Sequence, residues 1–323
     1  MPIRIGTRGS RLALWQAQTV AQSLTTAGRG PCEIVIFRTR GDQLQDRPLS
    51  EDGGKGLFVR EIEEALLGRA VDVAVHSAKD MSADLPAGLA IGGVLPREDP
   101  RDAVVLPAFS SDAGTSAPSD SEAWRAVGVG PHGKGKKVGT GSIRRVAQLR
   151  TAWPDAQFEP VRGNVDTRLR KLDEGQFAAL VLAAAGLRRL GFGNRISALI
   201  PFDTCVPAPG QGAIAIEVRE DDAATRDAVA AVSDRRTALA LDAERAVVDA
   251  IGGGCQLPLG AVATIENGWL ELVAVVASPD GARVARAKVR GPASQSRDIG
   301  LRAAEELAAE GGREILDGLG IRR

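Results

Sequence analysis

The sequence predicts an α/β protein of two similar units followed by a small α+β domain. Short apolar segments alternate with amphipathic segments of helical period through residues 1–97 and again through 98–208, a pattern typical of βαβ units with largely parallel sheets. From Asp234 onwards the pattern changes to a long helix, a hairpin and a final helix. The length of 323 residues agrees with two or three domains.

The first unit begins with a strand, a helix and a second strand. Ser10 is a favoured helix N-cap, Leu12, Trp15 and Val20 lie on one helical face, and Gly28 follows the helix. The pattern therefore predicts strands at 3–5, 33–37, 71–75 and 89–94, and helices at 10–27 and 57–67.

The second unit repeats this alternation. We expect strands at 103–106, 137–139, 157–161 and 178–182, and helices at 142–152 and 165–173. Residues 109–137 are rich in Ser, Gly, Ala and Asp and lack apolar periodicity, which predicts an exposed insertion.

A strand at 213–218 is separated from both units, and its return to the first sheet would join two α/β lobes by paired crossings. The predicted C-terminal elements are a helix at 235–250, a hairpin of 269–277 with 282–290 around Pro279-Asp280-Gly281, and a helix at 293–310. The predicted domains are 1–97 with 209–233, then 98–208, then 234–323.

Composition excludes several classes of function. The formal net charge is zero, aromatic residues make up 3% and Tyr is absent, which argues against nucleic acid as a partner. Three distant cysteines and two histidines predict neither a disulfide framework nor a metal site. Arginines interrupt the N-terminal apolar residues, and no run approaches 20 apolar residues. We therefore expect a cytoplasmic protein with no membrane partner.

One glycine motif is accidental. Residues 128–133 match GxGxxG by letters, but a Ser/Asp-rich segment precedes them where dinucleotide binding requires a strand. The same stretch resembles a phosphate loop, yet Gly135 stands where a Ser or Thr would bind magnesium. An exposed linker is the better interpretation.

Two short motifs follow strands of the first unit. Arg8 and Ser10 lie where a strand meets a helix, either as an anion site or as an ordinary helix cap beside a solvated arginine. Lys79 and Asp80 follow the strand VDVAV, where α/β sheets bind ligands. They form either a surface salt bridge or a cation and a carboxylate placed for acid–base chemistry.

Arginines gather at strand-to-helix turns of the second unit, in TGSIRR at 140–145 and RGNVDTR at 162–168, with Arg188 and Arg189 further on. Solvated arginines would lie on outer helix faces instead, so this placement favours a ligand with several carboxylates or phosphates. Cys255 follows three glycines in an uncluttered loop; most lone cysteines are buried and inert, and a reactive role is the alternative.

Nine motifs occur in the order found in the porphobilinogen deaminase (hydroxymethylbilane synthase) family, which the chain resembles over nearly its whole length apart from about 109–137. They are GTRGSRLALWQA, GGKGLFVREIE, HSAKD, EDPRDA, GTGSIRR, RGNVDTRLRKLD, AAAGLRRLG, PGQGAIAIE and GGGCQLPLG. The resemblance implies two periplasmic-binding-protein-like α/β lobes joined by crossing segments, plus a small C-terminal α+β domain with the cofactor cysteine. It also implies a monomer.

The resemblance further implies an enzyme of tetrapyrrole and haem biosynthesis. It would condense four porphobilinogen molecules head to tail into linear hydroxymethylbilane and release four ammonia molecules. A dipyrromethane cofactor, built from two porphobilinogen units, would be attached to Cys255 by a thioether and prime the chain.

The resemblance also assigns roles to residues. Asp80 would be catalytic, because a carboxylate beside a pyrrole nitrogen stabilises a cationic azafulvene and shuttles a proton. The other expected cofactor-binding residues are Lys79, Ser10, Thr140, Ser142, Arg144 and Arg145. The expected substrate-binding residues are Arg8, Arg162, Arg168, Arg189, Gln211, Lys55, Asp42 and Asp46.

The chain departs from the family pattern beside two of these residues. Ser82 replaces a usual Pro near Asp80, and Gly141 replaces a common Ser.

Two other functions compete with this prediction. A non-catalytic two-lobed binding protein for a polycarboxylate would account for the arginines, but it would need neither Asp80 nor Cys255. A nucleic-acid regulator is disfavoured by the zero net charge.

Overall fold

The computed structural model describes residues 1–39, 59–82, 84–108, 136–252 and 257–319. Its first sheet has five strands, in the order β2-β1-β3-β10-β4. Three neighbouring strands are parallel, whereas β10 runs antiparallel to both neighbours. The strands are β1 (Ile3–Arg8), β2 (Cys32–Phe37), β3 (Val73–Ser77), β4 (Leu89–Val94) and β10 (Ile214–Arg219). Helices α1 (Arg11–Thr26), α2 (Arg60–Leu67) and α6 (Ala223–Ala230) pack against it.

The second sheet repeats this arrangement in the order β7-β6-β8-β5-β9. β6 is parallel to β7 and β8, and β5 is antiparallel to both of its neighbours. The strands are β5 (Asp102–Val105), β6 (Lys137–Gly139), β7 (Gln157–Glu159), β8 (Ala179–Ala183) and β9 (Ala198–Leu199). The helices of this part are α3 (Ile143–Ala152), α4 (Val165–Asp173) and α5 (Ala184–Arg189). The predicted insertion lies mostly outside the described residues, which resume at residue 136.

Two chain segments cross between the sheets. Residues 95–101 lead from β4 to β5, and residues 200–213 lead from β9 back to β10. Each crossing segment enters its new sheet as an antiparallel strand. The predicted return of residues 213–218 to the first sheet is therefore confirmed, with bounds of Ile214–Arg219. Two α/β units with mixed sheets, joined by two crossing segments, confirm the predicted fold class.

The C-terminal part is a three-stranded antiparallel sheet covered by helices. It contains α7 (Arg235–Ile251), β11 (Leu259–Glu266), β12 (Trp269–Ala277), β13 (Val284–Pro292), α8 (Ser296–Ala309) and α9 (Gly312–Asp317). The sequence pattern predicts only two strands here, and β11 is a third strand that was not predicted. Asn267 and Gly268 both have positive φ and form its turn into β12, and an Asn-Gly pair is a strong hairpin signal. That signal was present in the sequence.

Local sequence features begin several helices where expected. The Ser10 hydroxyl accepts from Ala13 N at 3.2 Å, and Asp234 caps α7 by accepting from Thr237 N at 2.7 Å. Such caps satisfy amide groups that have no partner within a helix. Each sheet has its own buried apolar core. Within the described ranges, no helix has the length and apolarity needed to cross a bilayer.

Candidate functional site

Four of the parallel strands end next to predicted site residues. β1 ends at Arg8, and β3 leads into the 3-10 turn Ala78–Asp80. In the second sheet, β6 leads to Thr140, and β7 ends three residues before Arg162. Carboxyl ends of parallel strands lie at one edge of a sheet, which is where open α/β sheets bind ligands. The topology therefore brings each predicted group to one edge of its sheet.

The first cavity, which we call the lobe cavity, has a volume of about 390 Å³, open solvent included. Its polar lining residues are Arg8, Ser10, Gln16, His76, Ser77 and Asp80, and its apolar lining residues are Leu12, Ala13, Val59 and Val75. Gln16 Nε2 donates to Ser77 Oγ at 2.8 Å, which holds α1 against the end of β3. Arg8, Ser10 and Asp80, predicted from separate motifs, are thus brought together.

Lys79 and Asp80 are neighbours in the chain but line different cavities. Asp80 lines the lobe cavity, whereas Lys79 lines a second cavity on the other side of the turn. Burial lowers the pKa of Lys79, and the Asp80 carboxylate opposes that shift. Lys79 is half-buried, and an ammonium that has lost part of its solvation by water gains from a bound carboxylate.

The second cavity, which we call the junction cavity, has a volume of about 600 Å³, open solvent included. Its polar lining comes from three parts of the chain: Lys79 after β3, Ser142 and Arg144 at the start of α3, and Arg245 of α7. The rest is apolar, with Ala78, Met81, Ala208, Pro209, Val248, Leu257 and Leu259. Apolar walls with a few cations suit a flat apolar ligand that carries carboxylates.

Arg144 and Arg145 are buried around one carboxylate, Asp102 of β5. Arg144 Nη1 lies 2.8 Å from Asp102 Oδ2, and Arg145 Nε lies 3.0 Å from Oδ1. Burial alone would raise the pKa of Asp102, but the two guanidinium groups hold it well below its usual range. The three side chains carry one net positive charge. Asp102 thus neutralises one of the two positive charges of Arg144 and Arg145, which were predicted to bind the cofactor.

Two neighbours of this cluster have unsatisfied polar atoms. Gln211 Nε2 donates to Asp102 Oδ1 at 2.8 Å and to the Pro100 carbonyl at 2.7 Å. Its Oε1 and the hydroxyl of buried Thr140 have no hydrogen-bond partner among the residues described. Buried polar atoms normally have a hydrogen-bond partner, so Gln211 Oε1 and the Thr140 hydroxyl are each available to a polar ligand.

Arg168 approaches both lobes from α4. Its Nε donates to the Gly163 carbonyl at 2.8 Å. Burial lowers the pKa of Arg168 to about 10, Arg145 adds to the shift and Asp80 opposes it. The guanidinium thus remains charged at neutral pH and interacts electrostatically with the Asp80 carboxylate. Arg162, at the end of the segment after β7, is partly buried.

Arg189 lies at the joint between the lobes. Its Nη2 donates to the Gly212 carbonyl at 2.6 Å, and its guanidinium lies 5.6 Å from the Trp15 ring centroid. Burial lowers the pKa of Arg189 to about 10. A salt bridge also joins the first and second units, where Arg11 Nη1 lies 2.6 Å from Asp166 Oδ1.

Four predicted site residues lie outside the described residues: Asp42, Asp46, Lys55 and Cys255.

Sequence reasoning missed Asp102, Gln16 and Arg245 as site residues. Gln16 occupies an inward position of α1, at the helical spacing of Ala13, Ala17 and Val20, and a polar residue there was a usable signal. No local signal joins Asp102 to arginines about 40 residues away, since the topology of the sheet makes that contact. Among the described residues, no cluster of side chains could hold a metal ion.

Comparisons with known proteins match nearly the whole chain. The family model "Porphobilinogen deaminase, dipyromethane cofactor binding domain" matches residues 3–227, and "Porphobilinogen deaminase, C-terminal domain" matches residues 238–309.

Relatives named porphobilinogen deaminase include one from Syntrophobacter fumaroxidans, 45% identical over 98% of this chain and 97% of the relative. One from Bordetella parapertussis is 47% identical over 97% and 95%, respectively. Among solved structures, a periplasmic substrate-binding protein of an ABC transporter from Coxiella burnetii aligns with a TM-score of 0.40 and 12% identity. That alignment covers 73% of this chain and 94% of the other.

Proposed function

The chain belongs to the porphobilinogen deaminase family, and from this premise we propose how its side chains perform the reaction. The enzyme is a transferase of tetrapyrrole biosynthesis that condenses four porphobilinogen molecules into linear hydroxymethylbilane with release of four ammonia molecules. Its cofactor is dipyrromethane. The observation that carries the residue assignments is the Ala78–Asp80 turn, which directs Lys79 and Asp80 into two adjacent cavities.

Asp80 is assigned the catalytic role. When ammonia leaves porphobilinogen, the bonding electrons of the C–N bond go with the nitrogen, and positive charge develops on the pyrrole. A carboxylate fixed beside the pyrrole nitrogen stabilises that charge electrostatically. After the new carbon–carbon bond forms, the same carboxylate accepts the proton lost from the pyrrole α-carbon. The polar lining of the lobe cavity supports this assignment.

The cationic residues are assigned to the carboxylates of the pyrrole chain. Each pyrrole carries an acetate and a propionate, so every added unit brings two negative charges. Arg8 in the lobe cavity, with Arg162, Arg168 and Arg189 in the second unit, binds substrate, and a planar guanidinium binds a carboxylate by two hydrogen bonds. Ser10 adds a hydroxyl donor.

The junction cavity fits the cofactor. Its apolar walls suit pyrrole rings, Lys79 and Arg144 suit the carboxylates, and the unsatisfied Thr140 hydroxyl lies two residues before Ser142. When bound, the dipyrromethane supplies the pyrrole carbon to which the first substrate unit is added. Asp102, which binds both Arg144 and Arg145, holds Arg144 in place, and Cys255 is the proposed attachment residue. Gln211, whose Nε2 binds Asp102, completes this support.

The domain division proposed from the sequence has support in the sheet topology. Residues 1–97 and 209–233 contribute to the first sheet, 98–208 to the second, and 234–323 to the C-terminal sheet. We also assign the enzyme to the cytoplasm as a monomer without nucleic-acid or membrane partners. The zero formal net charge supports the absence of a nucleic-acid partner.

An aspartate-to-asparagine pair of variants tests the catalytic assignment. Asp80→Asn keeps the size of the side chain but removes its charge and its ability to accept a proton, so we expect turnover to fall by at least about 100-fold. Asp84→Asn, at an exposed aspartate four residues later, should keep wild-type turnover. The measurement is the rate of hydroxymethylbilane formation, with the melting temperature of each variant as a check on folding. A folded Asp80→Asn enzyme with normal turnover would refute the assignment.

The attachment residue is tested by intact mass under denaturing conditions. The wild-type protein should exceed its sequence mass by two condensed pyrrole units, on the peptide that contains Cys255. Cys255→Ala should have the unmodified mass and form no product, while Cys32→Ala should load normally. An adduct that persists in Cys255→Ala would place the cofactor elsewhere.

A further inference from the structure

His76 is a buried residue of the lobe cavity that has no part in the mechanism described above. It lies on β3, four residues before Asp80, and is 5% exposed. Its Nε2 atom lies 3.1 Å from Oε2 of Glu217, a fully buried glutamate on the neighbouring strand β10. A carboxylate thus fixes the orientation of an imidazole ring at the wall of a ligand cavity.

The Glu217 carboxylate decides which nitrogen of the His76 ring carries a hydrogen. An ionised carboxylate only accepts hydrogen bonds, so we assign the hydrogen of this contact to Nε2. Nδ1 of the neutral ring is then an acceptor. Because Nε2 is committed to Glu217, Nδ1 is the ring nitrogen left for a ligand in the lobe cavity, and that ligand must donate a hydrogen bond.

The surroundings of this pair favour a positive charge. Glu63 of α2 interacts electrostatically with both His76 and Glu217. Burial raises the pKa of Glu63 to about 7, and the Glu217 carboxylate adds to the shift. Among the residues described, Oε1 of Glu63 and Oε1 of Glu217 are buried without a hydrogen-bond partner. Arg219, two residues further along β10, donates instead to Asp222 and to backbone carbonyls. The acidic groups behind His76 therefore strengthen a hydrogen bond from a cation to its ring.

The lobe cavity is also where the amine of the substrate belongs. Asp80, the proposed catalytic carboxylate, and Arg8, assigned to a substrate carboxylate, line it together with His76. In porphobilinogen the aminomethyl group is bonded to the carbon next to the pyrrole nitrogen. When that ring nitrogen lies beside Asp80, the ammonium nitrogen is only three bonds away from it. The ammonium group therefore falls within the same cavity as His76.

We propose that His76 recognises the ammonium group of the incoming porphobilinogen, which donates a hydrogen bond to Nδ1 while Glu217 holds the ring. This inference rests on the proposed function, because the substrate and the place of Asp80 are taken from there. His76 is then a specificity-determining residue that separates the aminomethyl pyrrole from pyrroles with the same carboxylates and an uncharged substituent. The contact exists before the C–N bond breaks, so it contributes to substrate binding more than to the chemical step.

The test compares two ligands that differ only at this group. One is porphobilinogen, and the other is the same pyrrole diacid with a methyl group in place of the aminomethyl group, measured as a competitive inhibitor. His76→Gln keeps an Nε2 donor for Glu217 but has no acceptor at the position of Nδ1. We expect KM for porphobilinogen to rise by about 10- to 150-fold with little change in kcat, as for loss of a hydrogen bond to a charged group. The inhibition constant of the methyl analogue should stay at its wild-type value.

Two further variants complete the experiment. Glu217→Gln keeps the shape of the side chain but removes the charge behind the ring, so the preference for the ammonium ligand should fall in the same direction and by a smaller factor. Glu174→Gln, at an exposed glutamate that follows α4 and pairs with Arg170, should leave both constants unchanged. The melting temperature of each variant shows whether it folds.

Equal changes of the two constants in His76→Gln would overturn the proposal, because a purely structural role would weaken the binding of both ligands. The ratio of the constants also remains informative in a variant with a lowered melting temperature. If His76→Gln does not fold, Glu217→Gln decides, and an unchanged ratio in that variant would overturn the proposal. Failure of the proposed function is distinguishable, because then the wild-type enzyme itself would form no hydroxymethylbilane from porphobilinogen.

Discussion

Arg144 donates a 2.8 Å hydrogen bond to Asp102, and the side chains of the pair are 4% and 0% exposed. Arg145 binds the other oxygen of the same carboxylate. One aspartate on β5 thus holds two arginines of α3. Removing a partner from such a cluster leaves a buried charge without compensation, which is more costly than loss of an exposed pair.

Asp102→Asn should therefore lower the free energy of unfolding by about 3–5 kcal/mol at pH 7. The pKa of Asp102 is held well below its usual range, so its stabilising effect is present above about pH 4 and is lost as the pH falls further. The difference between wild type and variant should shrink in acid. Urea denaturation at pH 7 and pH 3 measures both effects.

Asp221→Asn is the comparison for this variant. Asp221 forms an ion pair with Arg69, and both side chains are more than 60% exposed. Its removal should cost less than about 1 kcal/mol. If the two variants lose the same stability at pH 7, the Asp102 cluster is not the strong buried contact described.

Arg168→Gln should impair elongation more than folding. The Arg168 guanidinium interacts electrostatically with Asp80 and stays charged at neutral pH, because its pKa is about 10. Loss of a charge-assisted carboxylate contact should lower kcat/KM by about 10- to 150-fold. The mass of the enzyme during turnover should then show partly extended chains that persist.

Arg170→Gln changes an exposed arginine on the same helix, where Arg170 pairs with Glu174. It should retain wild-type kinetics. Equal kinetics in both variants would remove Arg168 from the binding set.

Gly210→Ala should disturb the Ala78–Asp80 turn, in which we place the catalytic residue. Gly210 has a φ of +75°, and an added Cβ would lie 2.9 Å from Ala78 and 3.0 Å from the backbone nitrogen of Lys79. The strained backbone costs about 1 kcal/mol or more, and the overlap must move the Ala78–Asp80 turn. We expect lower stability together with lower kcat.

Gly191→Ala separates strain from overlap. Gly191 has a φ of +81° and no heavy atom within 4 Å of an added Cβ, so only backbone strain applies. This variant should lose stability but keep kcat. Loss of kcat in both variants would contradict the role assigned to the contact between Gly210 and the turn.

Glu63→Gln should change the pH dependence of stability. Burial raises the pKa of Glu63 to about 7, and the neighbouring Glu217 carboxylate adds to the shift. The folded protein therefore binds a proton that the unfolded chain releases between about pH 4.5 and 7, so this group lowers stability as the pH rises through that interval. The glutamine variant has no carboxyl group at this position, so it does not lose this stability as the pH rises.

Relative to wild type, Glu63→Gln should gain about 1–3 kcal/mol of unfolding free energy between pH 5 and pH 8. Denaturant titrations at the two pH values measure it. Glu174→Gln, the control, should follow the wild-type pH dependence, because Glu174 is an exposed glutamate at the end of α4 that pairs with Arg170, away from Glu63 and Glu217. An unchanged pH slope in Glu63→Gln would contradict the raised pKa.

Local patterns predicted most elements within two or three residues. Strand β6 and helix α4 have the bounds expected from the sequence, and Ser10, Ser142 and Asp234 cap their helices. β11 was missed because its first residues continue a glycine-rich loop, although Asn267-Gly268 marked its turn. The short helix α6 was also missed, since eight residues carry little periodic signal.

The sequence by itself determined the fold class, the family, and the motifs that contain Asp80, the arginines and Cys255, because these depend on local residue order and spacing. Only the tertiary structure decided which residues share a cavity. It placed Lys79 and Asp80 in different cavities, paired Arg144 and Arg145 with Asp102, and brought Arg245 to the junction cavity. These relationships arise from sheet topology and packing between distant segments, and no local pattern encodes them.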